Sequence, residues 1–130
     1  MNPATPRWRA SSGARWETQF GYSRAIRAGN LVWVSGTVGI NADGSVPDGA
    51  YAQAKRSLEI ITAALGELEA TPADVVRTRI FVTDIAFFDD VARAHREVFG
   101  DVLPASTLVH VKALVDPAYL LEIEVDAVAG

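Results

Sequence analysis

Apolar positions along the chain follow two different periods, and the places where the period changes mark out the elements. Residues 22–28 and 31–37 are strand-like runs around Gly29 and Asn30, a two-residue, glycine-containing link suited to a β-hairpin. The second run, LVWVSGT, is apolar on both faces, which suits a strand central in its sheet. Turn chemistry fills NADGSVPDG. The period then becomes helical. Tyr51, Ala54, Leu58, Ile61, Leu65 and Leu68 step by 3, 4, 3, 4 and 3 and trace one apolar stripe, with Lys55, Arg56, Glu59 and Glu67 off it. Asp48 is placed to cap the start of this helix. The helix ends by Ala70, where Thr71, Pro72, Ala73 and Asp74 read as a fresh cap with proline at the first helical position.

Period 2 returns in VVRTRIFVTD, with Val76, Thr78, Ile80 and Val82 expected on one face and Val75, Arg77, Arg79 and Phe81 on the other. A second helix is expected over residues 87–99, with Phe88, Val91, His95 and Val98 inward and Gly100 as its stop. Two strands close the chain, over residues 106–114 and 120–128, the latter alternating Leu121, Ile123, Val125 and Ala127 against Glu122, Glu124 and Asp126. The order β-β-α-β-α-β-β predicts an α+β domain, one sheet with two helices on one face. Val32, Val34, Thr78, Ile80, Val109 and Val111 are too many apolar positions to lie under two helices. A bare apolar sheet face is unusual in a monomer, so a closed homo-oligomer is expected.

Composition narrows the function. At 130 residues with 49% hydrophobic and 22% charged positions, the chain is one globular domain. Residues 1–14, with prolines at 3 and 6 and the sequence Ser11, Ser12, Gly13, read as an irregular arm ahead of the domain at 15–130. Trp8 and Trp16 are expected to anchor that arm. The net charge of −4 and the absence of any basic run argue against nucleic acid as a partner. With no cysteine, disulfides, thiolate nucleophiles and iron–sulfur clusters are excluded. Two histidines on different elements make a poor metal site, so none is expected. Neither a secretory leader nor a bilayer-spanning stretch is legible, and a cytoplasmic protein without membrane attachment is the expectation.

In combination, GYSRAIRAGNLVWVSGTVG, the helix DGAYAQAKRSLEIITAAL, DVVRTRIFVTDI, FFDDVARAHREVFG and LPASTLVHVKALVDPAYLLEIEVDAVA resemble the reactive-intermediate deaminase family (RidA/YjgF/UK114-like), from about residue 20 to the end. That resemblance implies a chorismate-mutase-like fold and a homotrimer with a central β-barrel. It also implies clefts between subunits that hydrolyse imines and enamines to ketoacids and ammonia without a cofactor. It assigns the cleft tyrosine to Tyr22, the serine–glycine pair to Ser35 and Gly36, and the glutamate that positions or activates water to Glu122. The family's substrate-binding arginine, two places after a proline, falls on Ser106. Its usual cysteine falls on Leu108 and a helix asparagine on Ala92.

Losing that arginine removes a bidentate carboxylate anchor that serine cannot replace. Either the ligand is not a typical 2-iminoacid or another cation takes over. Arg24, Arg79 and Lys112 are the candidates, none at an equivalent position. Ser106, Thr107 and His110 are candidate ligand-binding positions through their place on the penultimate strand; ordinary strand chemistry is the alternative for each. His95 is expected to be a satisfied core or interface histidine, and Glu124 and Asp126 structural or exposed. Two functions stay open: a cofactor-free hydrolase or deaminase of a reactive imine or enamine with Glu122 as its catalytic residue, or a trimeric module that binds a small metabolite or protein without turnover. Ribonuclease activity is disfavoured by the acidic balance.

Overall fold

The computed structural model describes residues 6–130. Six strands form one mixed sheet in the order β1-β2-β3-β6-β4-β5: β1 (Arg7–Ala10), β2 (Ala25–Ala28), β3 (Leu31–Thr37), β4 (Val75–Val82), β5 (Ala105–His110) and β6 (Leu121–Val128). All pairings are antiparallel except β4 with β5, which is parallel; that reversal requires the crossover supplied by helix α3 (Phe88–Phe99). Helix α2 (Ala50–Glu67) packs on β3, β6 and α3. Ala54, Leu58, Ile61 and Leu65 from the predicted helical stripe meet Leu121, Ile123 and Val125 from the alternating strand in one buried cluster, the amphipathic pairing that stabilises a two-layer α+β fold.

Several expectations are corrected. The arm is not wholly irregular: Arg7–Ala10 adds an edge strand to β2, and Arg15–Phe20 forms a short helix, α1. Residues 1–5 of the arm lie outside the described residues. Strand β2 begins at Ala25, since Gly21 in the left-handed region (φ 91°) and an irregular turn occupy the residues before it. The fifth strand stops at His110, not 114. Gly49, not Asp48, stands at the cap position of α2, and no side chain caps it. Phe88 is exposed, and Ala94 takes the inward place beside Val91.

Val75 is buried and Val76 exposed, the reverse of strict alternation through β4, because the register against β6 shifts between Val75 and Arg77. An extra residue on one strand flips the phase on one side of a bulge. Four of the six residues taken as surplus to the helices, Val32, Val34, Thr78 and Ile80, are fully covered by them. What the other face carries is Leu31, Trp33, Val109 and Val128, each about two-fifths exposed, with Phe81 partly buried among charged neighbours.

Candidate functional site

The register divides the chemistry-bearing residues between the two sides of the sheet. In β6, Leu121, Ile123, Val125 and Ala127 point into the helix layer, so Glu122, Glu124 and Asp126 point away from it. The pairing of β4 with β6 sets Phe81 beside Glu122, Arg79 beside Glu124 and Arg77 beside Asp126. Arg79 closes on Asp126 at 3.0 Å and reaches Glu124 at 3.9 Å, which makes the two C-terminal acids of the strand structural, as expected from the sequence. Glu122 receives no hydrogen bond among the described residues.

Glu122 is set in an open groove of about 1360 Å³ whose walls include Tyr22, Arg24, Ser35, Gly36 and Phe81. The groove exists because β3 bulges. Val34 pairs with Val125 and Thr37 with Ile123, so three steps on β3 oppose two on β6, and the surplus falls at Ser35 and Gly36. The bulge is held from both sides: Thr37 Oγ1 donates to Ser35 O at 2.8 Å, and Arg24 Nη2 donates to Gly36 O at 2.9 Å. A Cβ on Gly36 would lie 2.8 Å from Glu122 Cδ and 3.0 Å from Oε1. Glycine there lets the backbone approach the carboxylate without displacing it.

Burial pushes the Glu122 carboxyl above its ordinary value; the Arg24 charge pulls the other way and the Glu124 charge adds to the rise. Glu122 therefore holds its proton to higher pH than an exposed glutamate, a state suited to passing a proton to and from a bound molecule. The Ser35 hydroxyl donates to Ser23 O at 2.7 Å, so toward a ligand it has only lone pairs to offer. Tyr22 stacks edge-on against Phe20 with ring centroids 5.7 Å apart, and the Arg24 guanidinium lies 5.4 Å from its centroid. Phe20 is 84% exposed at the lip of the groove.

Of the residues singled out in the sequence, Tyr22, Ser35, Gly36 and Glu122 converge in this groove. Ser106, Thr107 and His110 do not join them within one chain. Ser106 and His110 pair with Thr78 and Val82, which places them on the helix side. There the Thr78 hydroxyl donates to Ser106 Oγ at 2.7 Å and lies 2.9 Å from His95 Nε2. Burial holds the His95 imidazole below its ordinary value, and its ring packs on Phe99, the satisfied interior histidine anticipated above. His110 Nε2 is 3.2 Å from Thr83 O. Thr107 shares Glu122's side of the sheet but is on the outermost strand, accepting from Arg77 Nη2 at 2.9 Å.

The residue that sequence reasoning underweighted is Arg24. Of the three cations weighed as substitutes, Arg79 is spent on Asp126 and Glu124, and Lys112 is exposed in the segment after β5 and lines no part of the groove. Arg24 is 5% exposed and forms part of the groove wall. Nothing in its local sequence signals this, because an arginine near a strand start is ordinarily solvated.

With this geometry in hand, comparison with known proteins gives a consistent answer. Residues 13–129 match the family model described as Endoribonuclease L-PSP. The chain belongs to the YjgF/YER057c/UK114 (RidA) family. Rv2704 of Mycobacterium tuberculosis, a crystallised member, is 45% identical over 95% of this chain and all of its own, with a TM-score of 0.89. A RutC family protein of Haemophilus influenzae is 35% identical across 83% of this chain and 85% of its own length. The Escherichia coli YjgF gene product, 28% identical, superposes with a TM-score of 0.80 over 92% of this chain and 93% of that one. The α+β architecture is thus that of the YjgF-family structures. No helix among the described residues is long and apolar enough to cross a membrane.

Proposed function

We propose that this protein is a cofactor-free hydrolase that deaminates a small reactive imine or enamine in the groove above Glu122. The observation that carries this reading is Glu122 itself: a carboxyl whose proton affinity is raised by burial, free of protein hydrogen bonds among the described residues and faced by a glycine that leaves it room. For an imine, water adds to the C=N carbon while the Glu122 carboxylate takes a proton from that water. That proton passes to nitrogen to give the carbinolamine; Glu122 then takes the carbinolamine's hydroxyl proton and delivers it to nitrogen, so that the C–N bond breaks and a carbonyl compound and ammonia leave. Tyr22 flanks the bound molecule, and Ser35 accepts a hydrogen bond from it. Membership of the family supports a small-metabolite role of this kind. The family description names a ribonuclease, but a formal charge of −4 and the acids along β6 oppose a phosphate backbone.

The groove is open in a single chain, and the sheet face around it carries Leu31, Trp33, Val109 and Val128 in partly exposed positions. A homotrimer that buries this face would close the groove, and the β5 edge of a neighbouring copy is the element that would bring Ser106, Thr107 and His110 to it. With Ser106 at the family's arginine position, the substrate is not a 2-iminoacid held in the usual way. That same serine favours the second reading, a trimeric metabolite-binding module without turnover. The deciding experiment measures ammonia release from freshly generated imines alongside sedimentation. Accelerated release by a trimer supports the hydrolase. Ligand-dependent thermal shifts without any product support the binding module, and a monomer at micromolar concentration removes the closed cleft.

A further inference from the structure

Arg24 poses a problem that its own chain does not solve. The residue is only 5% exposed, yet no carboxylate lies within 4.0 Å of it among the described residues. Of its three guanidinium nitrogens, Nη2 alone has a partner, the Gly36 carbonyl, and Nε is fully buried with none. A buried cation is ordinarily paired, since removing it from water without a counter-charge costs several kcal/mol.

The two acids nearest in charge terms do not neutralise it. Glu17 is committed elsewhere: its carboxylate accepts from the hydroxyls of Ser11 and Ser12 and from the Ser12 backbone. Glu122 feels the Arg24 charge but makes no ion pair with it within 4.0 Å. The remaining charged residues of the groove wall are also occupied. Glu124 is reached by Arg79, Arg56 donates to Ile40 O and pairs with Glu59, Asp116 caps the backbone of Ala118, and Arg15 stacks on Trp16. The buried cation of the groove wall without an ion-pair partner among the described residues is therefore the Arg24 guanidinium, beside the bulge that bears Gly36 and on the same wall as Tyr22.

We infer that Arg24 is the anion anchor of this groove, so that the ligand is a small molecule bearing a carboxylate or a similarly compact anionic group that docks between Tyr22 and the Ser35–Gly36 bulge. This rests on the groove being the ligand site of the proposed hydrolase, and it names the substrate class. The cation enters from the segment before β2, not from the β5 position that Ser106 occupies. The anionic group is thus held against the same wall as Glu122, and its neighbouring carbon is presented to the carboxyl. With Nη2 held by Gly36 O and Nε sealed, Nη1 is the nitrogen left to face a ligand; a guanidinium fixed in this way confers charge and direction together, which accounts for a ligand site that retains Glu122 without an arginine at 106.

The test is binding, not turnover. Isotope-labelled protein is titrated with 2-oxobutyrate and, separately, with its neutral isostere 2-oxobutyramide, following the Arg24 Nε–Hε resonance and the amides of Tyr22 and Gly36. The expected result is saturable binding of the acid, binding of the amide weaker by about tenfold or more, and loss of the acid's advantage in Arg24→Gln. Arg24→Lys, which keeps the charge and loses the fork, gives an intermediate affinity and serves if the glutamine variant does not fold. Arg79→Gln leaves the acid's affinity unchanged. Equal binding of acid and amide, undiminished acid binding by the folded Arg24 variant, or no saturable binding of the acid at millimolar concentration each overturns the assignment. Anion binding at Arg24 without ammonia release from any imine would sink the hydrolase reading and leave this one standing. Turnover of imines unaffected by Arg24→Lys would do the opposite.

Discussion

The two faces of one sheet treat their polar groups in opposite ways. On the helix side, Thr78, Ser106 and His95 answer one another: a buried hydroxyl bridges a second hydroxyl at 2.7 Å and an imidazole at 2.9 Å. That cluster satisfies itself, with Thr78 buried and Ser106 at the exposed edge strand, as polar groups packed on a core generally do. On the other face, a single residue beyond the bulge of β3, Glu122 has no hydrogen bond and Arg24 has one nitrogen in use of three. Both faces descend from strands that look alike in sequence, alternating β-branched and polar residues. What separates them is whether the fold supplies partners. Where it does, polar residues stabilise; where it withholds them, their unmet hydrogen bonds and charge are available to a ligand.

That contrast can be tested from its largest effect downward. Glu122→Gln keeps size and loses the proton-transferring group, and should lower imine hydrolysis by about 10²–10⁴-fold with the circular dichroism spectrum unchanged. Retained ammonia release would move the chemistry away from β6. Gly36→Ala introduces a Cβ 2.8 Å from Glu122 Cδ. The glutamate side chain is the part free to yield, so the fold should survive while activity falls by roughly 10–100-fold through displacement of the carboxyl. Wild-type activity in that variant would mean that the position of Glu122 is not critical. On the closed face, Thr78→Val deprives both Ser106 Oγ and His95 Nε2 of their partner. A loss of about 1–3 kcal/mol, seen as a fall of several degrees in Tm, is expected; an unchanged Tm would show the cluster to be dispensable.

The smallest effect is a pH dependence of opposite sign in two glutamates. Burial raises Glu122 above its ordinary 4.5. Its contribution to stability is therefore complete below about 4.5 and is lost as pH rises through the folded value. Glu122→Gln, which cannot charge, should gain on wild type across that window and match it in acid. For Glu17, burial alone would push the carboxyl up, but the hydrogen bonds from Ser12 and Ser11, aided by the Arg24 charge, outweigh it and its value falls below 4.5. Its contribution is present above 4.5 and disappears as pH drops through the folded value, so Glu17→Gln should cost stability at neutral pH and converge with wild type in acid. Thermal melts of both variants from acid to neutral pH read the two signs directly.

Much of the fold was legible because it rests on periodicity. The stripe from Ala54 to Leu65 and the alternation through β6 predicted both partners of the core, and each lies buried where its period places it. The errors fall where periodicity has no purchase. Six residues of α1 are too few to show a stripe, and four of β1 depend on an edge of β2 being vacant. Bulges at Ser35–Gly36 and after Val75 shift the phase without altering composition. For the site, Tyr22, Ser35, Gly36 and Glu122 were reached through family resemblance, and the groove that unites them follows from the β3 bulge. Ser106 and His110 alternate with Thr107 in the sequence, and within one chain the register puts them on the helix side; the cleft that the resemblance implies for them lies between copies.

By itself, the order of residues determined the two long helices and the five strands from β2 to β6, the apolar side of α2 and β6, and that a glutamate stands between apolar neighbours near the C-terminus. These are local properties, set by a period of two or of about 3.6 residues. Only the tertiary structure decided which polar residues go unpartnered. Whether Arg24 is solvated or enclosed, and whether Glu122 meets a glycine or a side chain, depends on strands distant in sequence arriving in one register, and hydrogen-bond satisfaction is settled at that point and not before.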